Sequence, residues 1–318
     1  MTDINHRTVS TNGLNMHIAE AGKGPLVILC HGFPESWYSW RHQIPALADA
    51  GYHVVAPDQR GYGRTDAPAA IEDYTQMHLV GDIVGLVHAL GEEQAVVIGH
   101  DWGAPVAWNC AMWRPDIFRA VAALSVPASD RAPVAPTDSM RAMFGENFFY
   151  ILYFQTPGVA EHELQHDVRR SMRDFLYGAS GNSSGARMMA NPLPNTAFFL
   201  DMIPKCDELP PWLTEEDLDY FTSEFTRTGF RGGLNWYRNI DRSWALSAGF
   251  QGKKIEQPAF FISGDKDLIS ANPVWEKNMR AVVPNLADPV ILPGIGHWTQ
   301  QEAPAETNAA LIRFLNSL

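Results

Sequence analysis

AVVIGHDWGAP, residues 95–105, is the stretch from which the rest of the chain can be read. Its first five residues, Ala95 to Gly99, are apolar, rich in β-branched side chains and closed by glycine, the pattern of a buried strand. Residues Ala104 to Trp113 carry the pattern of a helix. Between the two, Gly99-His100-Asp101-Trp102-Gly103 forces a sharp turn, and its flanking glycines suit one because a Cβ on either side would crowd it. Strand, turn and helix make an elbow that lifts its central side chain at the carboxyl edge of a sheet. That side chain is Asp101. A serine there would serve acyl transfer; a carboxylate serves displacement at an alkyl carbon. An aspartate at the start of a helix is more often a simple N-cap, so the reading depends on partners elsewhere.

Composition narrows the classes those partners can belong to. A chain of 318 residues, 46% hydrophobic and 19% charged, fits one globular domain with a sizeable insertion or two unequal domains. A net charge of −12 argues against nucleic acid or an anionic membrane surface as a partner. The polar start, MTDINHRTVSTNGLNM, has no apolar core of a secretory signal, and no apolar run reaches the ~18 residues of a membrane span. Cys30, Cys110 and Cys206 are far apart and odd in number, which fits reduced thiols in a cytoplasm.

Outward from the elbow, strands and helices alternate. Strands are expected around Arg7–Ser10 and Asn15–Glu20, turning at Asn12-Gly13. Leu26–Cys30, His53–Pro57 and Ala120–Val126 follow as further strands, with helices over Ser36–Ala50 and Thr75–Leu90. This rhythm predicts an α/β fold with a mostly parallel, doubly wound sheet. Near Pro127 it changes. From 128 to 245 the pattern is helical, over Met140–Phe154, Val159–Tyr177 and Thr214–Thr228, with a loop-like stretch from Asn182 to Asn195. The strand Pro258–Gly264, helix Pro273–Val282, strand Pro289–Pro293 and helix Ala303–Leu315 complete the chain. The expected organisation is therefore a core over 1–127 and 246–318, with a helical cap over 128–245 that covers the strand ends and shapes a pocket.

Two further sites sit just past predicted strands. Asp265-Lys266-Asp267 follows the strand PAFFISG, and His297 follows the next one in Gly294-Ile295-Gly296-His297-Trp298. Nucleophile, acid and histidine in that order match the chain order of an α/β-hydrolase triad. Spacing alone does not separate Asp265 from Asp267; Asp267 is the preferred choice. The turn His31-Gly32-Phe33-Pro34 after Leu26–Cys30 stands where such folds supply one oxyanion donor, and the residue after the nucleophile supplies the other. Those donors would be the amides of Phe33 and Trp102.

The stretches HGFPESWYSWRHQ, APDQRGYGRTDAP, GHDWGAP, YILYFQTPGVAE, GGLNWYRN, SGDKDL and GHWTQ resemble the soluble epoxide hydrolases of the α/β-hydrolase fold, over nearly the whole chain. The resemblance implies Asp101 as nucleophile, Asp267 as acid, His297 as base, and Tyr150 and Tyr237 as cap tyrosines. Spacing alone cannot choose Tyr150 over Tyr153, one helical turn away. The sequence departs from the mammalian type in lacking an N-terminal phosphatase domain, and from the microsomal type in lacking a membrane anchor. The implied reaction opens an epoxide to a vicinal diol through an ester on Asp101 and needs no cofactor and no metal. Implied partners are a small-molecule epoxide and water, with no nucleic acid and no membrane, in a monomer or homodimer.

Rival readings have weaker support. A haloalkane dehalogenase shares the aspartate and the tryptophan after it, but needs a halide donor such as asparagine where this chain has Phe33. His162-Glu163-Leu164-Gln165-His166 matches the zinc-protease pattern H-E-x-x-H, yet Arg169 breaks the metzincin continuation and no third ligand is evident. A ligand-binding homologue without catalysis would have no need of all these positions together. Asn182-Ser183-Ser184 is a glycosylation sequon without a secretory context. Phe148, Phe149, Met188, Met189 and Phe198 are expected to shape the pocket.

Overall fold

A computed structural model describes residues 2–183, 193–269 and 274–318. Its centre is one eight-stranded sheet in the order β1-β2-β4-β3-β5-β6-β7-β8. The strands are β1 (Asn5–Thr11), β2 (Leu14–Ala21), β3 (Leu26–Cys30), β4 (His53–Pro57), β5 (Ala95–His100), β6 (Phe118–Leu124), β7 (Ala259–Gly264) and β8 (Val290–Leu292). The pairs β1–β2 and β2–β4 are antiparallel and the rest parallel. β3, β5 and β7 are buried along their whole length, as continuous apolar runs covered on both faces should be. β1 is largely exposed and forms the edge.

Alternation along the strands divides the core into two layers. Val27, Leu29, Val96 and Ile98 face α1 (Gln43–Asp49) and the C-terminal helix Pro304–Leu315. Ile28, Cys30 and Val97 face the opposite layer, which holds α2 (Gln76–Ala89) and α3 (Gly103–Trp113). Because β3, β5, β7 and β8 run parallel, the turns after all four emerge on one side of the sheet. These are the turns that carry His31–Phe33, Asp101, Asp267 and His297. Ligands of doubly wound sheets bind beyond the carboxyl ends of the strands.

Between β6 and β7 the chain is helical: α4 (Pro136–Phe144), α5 (Tyr150–Tyr153), α6 (Val159–His166), α7 (Val168–Gly178), α8 (Phe199–Met202), α9 (Glu215–Thr228), α10 (Arg231–Arg238) and α11 (Ile240–Leu246). Then come α12 (Val274–Val282), α13 (Thr299–Glu302) and α14 (Pro304–Leu315). Thr214 caps α9 through the expected box with Asp217, each side chain bonding the other's backbone amide.

Three expected helices are broken. Ser36–Ala50 is a 3-10 turn at Trp37–Trp40 followed by α1, since Pro45 lacks an N–H and fits only in the first turn of a helix. Met140–Phe154 is cut after Phe144, where Gly145 adopts φ +55°, and resumes at Tyr150. Val159–Tyr177 is cut at Asp167, whose extended backbone ends α6 and whose carboxylate accepts from the Arg170 amide to start α7. The helices α8, α10 and α11 carry no strong sequence signal. α8 has only four residues, and Gly232 and Gly233 lower the helix propensity of α10. Met188, Met189 and most of the Asn182–Asn195 stretch lie outside the described residues.

Candidate active site

The elbow has the geometry its glycines call for. Asp101, between β5 and α3, has φ +50°, a conformation few residues other than glycine adopt. A Cβ on Gly99 would run into the Gly103 carbonyl, and one on Gly103 into that of Cys30. The elbow thus seats on the end of β3, and the His31–Pro34 turn lies against Asp101. The Phe33 amide donates to Asp101 Oδ1 at 2.7 Å. The second donor expected from sequence, the Trp102 amide, sits at the junction of elbow and α3.

The other carboxylate oxygen of Asp101 faces His297. Nε2 of His297 is 3.3 Å from Asp101 Oδ2, and Nδ1 is 3.0 Å from Asp267 Oδ2. Asp267 is buried, with its second oxygen accepting from the Ile269 amide. Asp265 is elsewhere, taking the Gly294 amide at 2.7 Å. Burial disfavours charge on His297, but Asp267 and the hydrogen bond to Asp101 outweigh it and raise the imidazole well above its usual pKa. His297 thus stands between two carboxylates, both of which favour its charged form.

Asp101 and His297 open onto a cavity of about 290 Å³ walled by Phe33, Phe144, Phe148, Phe149, Phe175 and Phe199. Tyr150 and Tyr237 line the same cavity, with ring centroids 6.1 Å apart. Burial, and after it the charge of Asp101, pushes both phenols up, so both keep their protons at neutral pH. The Trp102 ring meets Tyr237 edge-on at 5.0 Å. Tyr153 does not line the cavity; its hydroxyl donates to Glu163 at 2.8 Å. Phe148 and Phe149 line the cavity as expected. Phe198 does not: it is 54% exposed, because its backbone amide starts α8 and the ring projects outward.

Behind the elbow is a polar network that sequence reasoning missed. Glu35 is fully buried and accepts from the Gly32 amide (2.7 Å), His100 Nδ1 (2.8 Å) and Gln300 (3.0 Å). Burial alone would push its carboxyl up; the adjacent His100 and His31 rings and the Gly32 amide instead bring it down to about 2. His100 Nε2 faces the carbonyl of His297 at 2.7 Å. One buried pair thus connects the Phe33 turn, the elbow and the base. The signal available was a glutamate two residues after Phe33 and a histidine just before Asp101, both polar residues at the ends of apolar strands.

The zinc pattern is accounted for differently. Glu163 accepts from Tyr153 and from the amides of Phe199 and Leu200 at the start of α8, while His162 and His166 are exposed. Among the described residues no cluster of histidine, cysteine or acidic side chains could hold a metal ion. A second hollow of about 340 Å³, lined by Trp113, Trp244 and one side of Trp102, contains neither Asp101 nor His297. No helix among the described residues is long and apolar enough to cross a membrane.

Comparison with known proteins agrees with this fold. The α/β hydrolase fold family model matches residues 25–304. Epoxide hydrolase A of Mycobacterium tuberculosis is 52% identical, over 98% of this chain and 97% of its own length. Epoxide hydrolase 2 of Siraitia grosvenorii is 42% identical, over 99% of both. The crystal structure of epoxide hydrolase A from Mycobacterium thermoresistibile superposes with a TM-score of 0.94 at 51% identity, covering 99% of this chain and 98% of that one.

Proposed function

Since this chain belongs to the epoxide hydrolases of the α/β-hydrolase fold family, we propose that it opens epoxides through a covalent alkyl ester on Asp101. The observation that carries this reading is the division of labour at one carboxylate. Oδ1 of Asp101 takes the Phe33 amide, Oδ2 faces His297, and two neutral phenols share the cavity above.

In this mechanism an Asp101 oxygen attacks an epoxide carbon. The C–O bond breaks, and the alkoxide takes a hydrogen bond and then a proton from Tyr150 or Tyr237. Phenols suit the task because they donate without placing a charge in an apolar pocket. Esterification removes the negative charge of Asp101, and with it one of the influences that keep His297 protonated. His297 then passes its proton towards the phenolate side through solvent. Held by Asp267, it takes a proton from a water that attacks the ester carbonyl. The amides of Phe33 and Trp102 stabilise the oxyanion, and collapse releases the diol and restores the Asp101 carboxylate.

Residues 128–245 act here as the cap, supplying both tyrosines and most of the aromatic wall. Cys30, Cys110 and Cys206 are free and buried, which supports a reducing, cytoplasmic setting. A panel of aromatic, alicyclic and fatty-acid epoxides, read for diol by chiral chromatography with wild type and Asp101→Ala in parallel, tests the reading. Diol from the Ala variant at wild-type rates would overturn it.

A further inference from the structure

Glu302 ends α13, and its side chain turns back beneath the base. Its Oε1 accepts the Trp298 amide at 3.0 Å, and its Oε2 accepts the Gly296 amide at 3.0 Å and the Gly181 amide at 2.8 Å. Gly296 and Trp298 flank His297. The His297 amide donates to the Ala179 carbonyl at 2.9 Å, and its carbonyl accepts from His100 and from the Ser125 hydroxyl, each at 2.7 Å. The Trp298 indole donates to the Leu176 carbonyl at 2.7 Å. Leu176, Ala179 and Gly181 belong to the end of α7 and the turn after it. One carboxylate therefore ties the peptide on both sides of the base to the helical layer that walls the cavity.

Three donors converge on this group, and only a side chain that accepts at both oxygens can take them all. A glutamine would turn an NH₂ towards the Trp298 amide or towards the Gly296 and Gly181 pair, leaving donor against donor. Burial pushes the Glu302 carboxyl up, while the three amides oppose that shift.

We propose that Glu302 is a positioning residue for the hydrolytic half of the reaction, holding the His297 peptide in register with the end of α7. The proposal rests on the covalent reading above. Attack by Asp101 and donation by the tyrosines use no atom that Glu302 holds, whereas activation of water depends on where the His297 ring stands once the alkyl group has entered. Loss of the clamp should therefore separate the two steps.

The test is Glu302→Gln in the full chain, mixed rapidly with styrene oxide. Opening is followed by tryptophan fluorescence, and the ester by acid quench and intact-protein mass. Opening is expected within about threefold of wild type, and ester hydrolysis at least tenfold slower, with ester accumulating. Glu302→Asp, which remains an acceptor at both oxygens, should recover part of the hydrolysis rate. Equal slowing of both steps, or slowing of neither, overturns the positioning role. If the Gln variant does not fold by circular dichroism, the Asp variant decides on the same split. Absence of ester in wild type and also in His297→Gln would mean that the covalent reading itself fails, and the proposal falls with it.

Discussion

Nε2 of His297 lies 3.3 Å from Oδ2 of Asp101, so on the proposed mechanism the base that hydrolyses the ester first rests against the carboxylate that forms it. Asp267 and Asp101 both push the His297 imidazole up, against the burial that disfavours its charge. On the proposed mechanism esterification would cancel the Asp101 charge, 3.3 Å from the ring, and leave that of Asp267, 3.0 Å from it. The proposed order of the two chemical steps would thus follow from one contact.

Asp101→Asn should expose this coupling. In that variant the His297 pKa should fall, as followed by imidazole NMR. The stability consequence has a definite sign. A histidine whose folded pKa is raised adds stability that is fully present below the unfolded value of about 6.5 and is lost as pH rises through the folded one. The melting temperature of the wild type should exceed that of Asp101→Asn by most near pH 5.5–6, with the difference shrinking on the alkaline side. An unchanged His297 titration in the variant would show that Asp267 alone sets the base.

Tyr150→Phe and Tyr237→Phe should each slow epoxide opening by about 2–4 kcal/mol of transition-state stabilisation, as for loss of one oxyanion donor. The double variant should be nearly inactive. Tyr153→Phe should open epoxides normally, because that hydroxyl is spent on Glu163; its cost should appear as a lower melting temperature. Single-turnover rates for the four variants check this. A dead Tyr153→Phe beside an active Tyr150→Phe would reverse the assignment.

That distinction also marks the limit of what could be read from sequence. β3 and β4 match the residues expected, and β5 to within one residue, because a run buried on both faces has one reading and its ends are set by glycine or proline. Asp101 stands out in the sequence because it directly follows such a strand, whereas His297 lies five residues past Leu292, the end of the short and partly exposed β8, and is marked by chain order instead. Tyr150 and Tyr153 sit on the same four-residue helix, and which of them lines the cavity is decided by α6, where Glu163 captures one hydroxyl. The Glu35–His100 pair joins residues 65 apart, and His100 reaches a carbonyl 197 residues away. Local patterning carries no trace of such contacts. The broken helices fail for the opposite reason: apolar spacing continues across Gly145 and Asp167, but the backbone does not.

His297→Gln should accumulate a covalent adduct. Opening uses Asp101 and the two phenols, and only the second step needs an imidazole base. Intact-protein mass spectrometry should show the enzyme plus one epoxide mass, located on the peptide that contains Asp101. Unmodified protein after long incubation with a substrate that the wild type consumes would count against the covalent route.

The source of the new diol oxygen discriminates most sharply between mechanisms. If Asp101 were a general base, water would attack the epoxide directly, and a single turnover in ¹⁸O water would give labelled diol. If Asp101 is the nucleophile, its own carboxylate oxygen forms the new C–O bond, and water then attacks the ester carbonyl. With enzyme in excess the first diol should be unlabelled and the Asp101 peptide should gain ¹⁸O, passing label to product only in later turnovers. Geometry favours the second course. The Phe33 amide already contacts Asp101 Oδ1 at 2.7 Å, the place where a tetrahedral oxyanion on that carbonyl would need a donor. Fully labelled diol in the first turnover would falsify the ester mechanism and leave the fold and the family untouched.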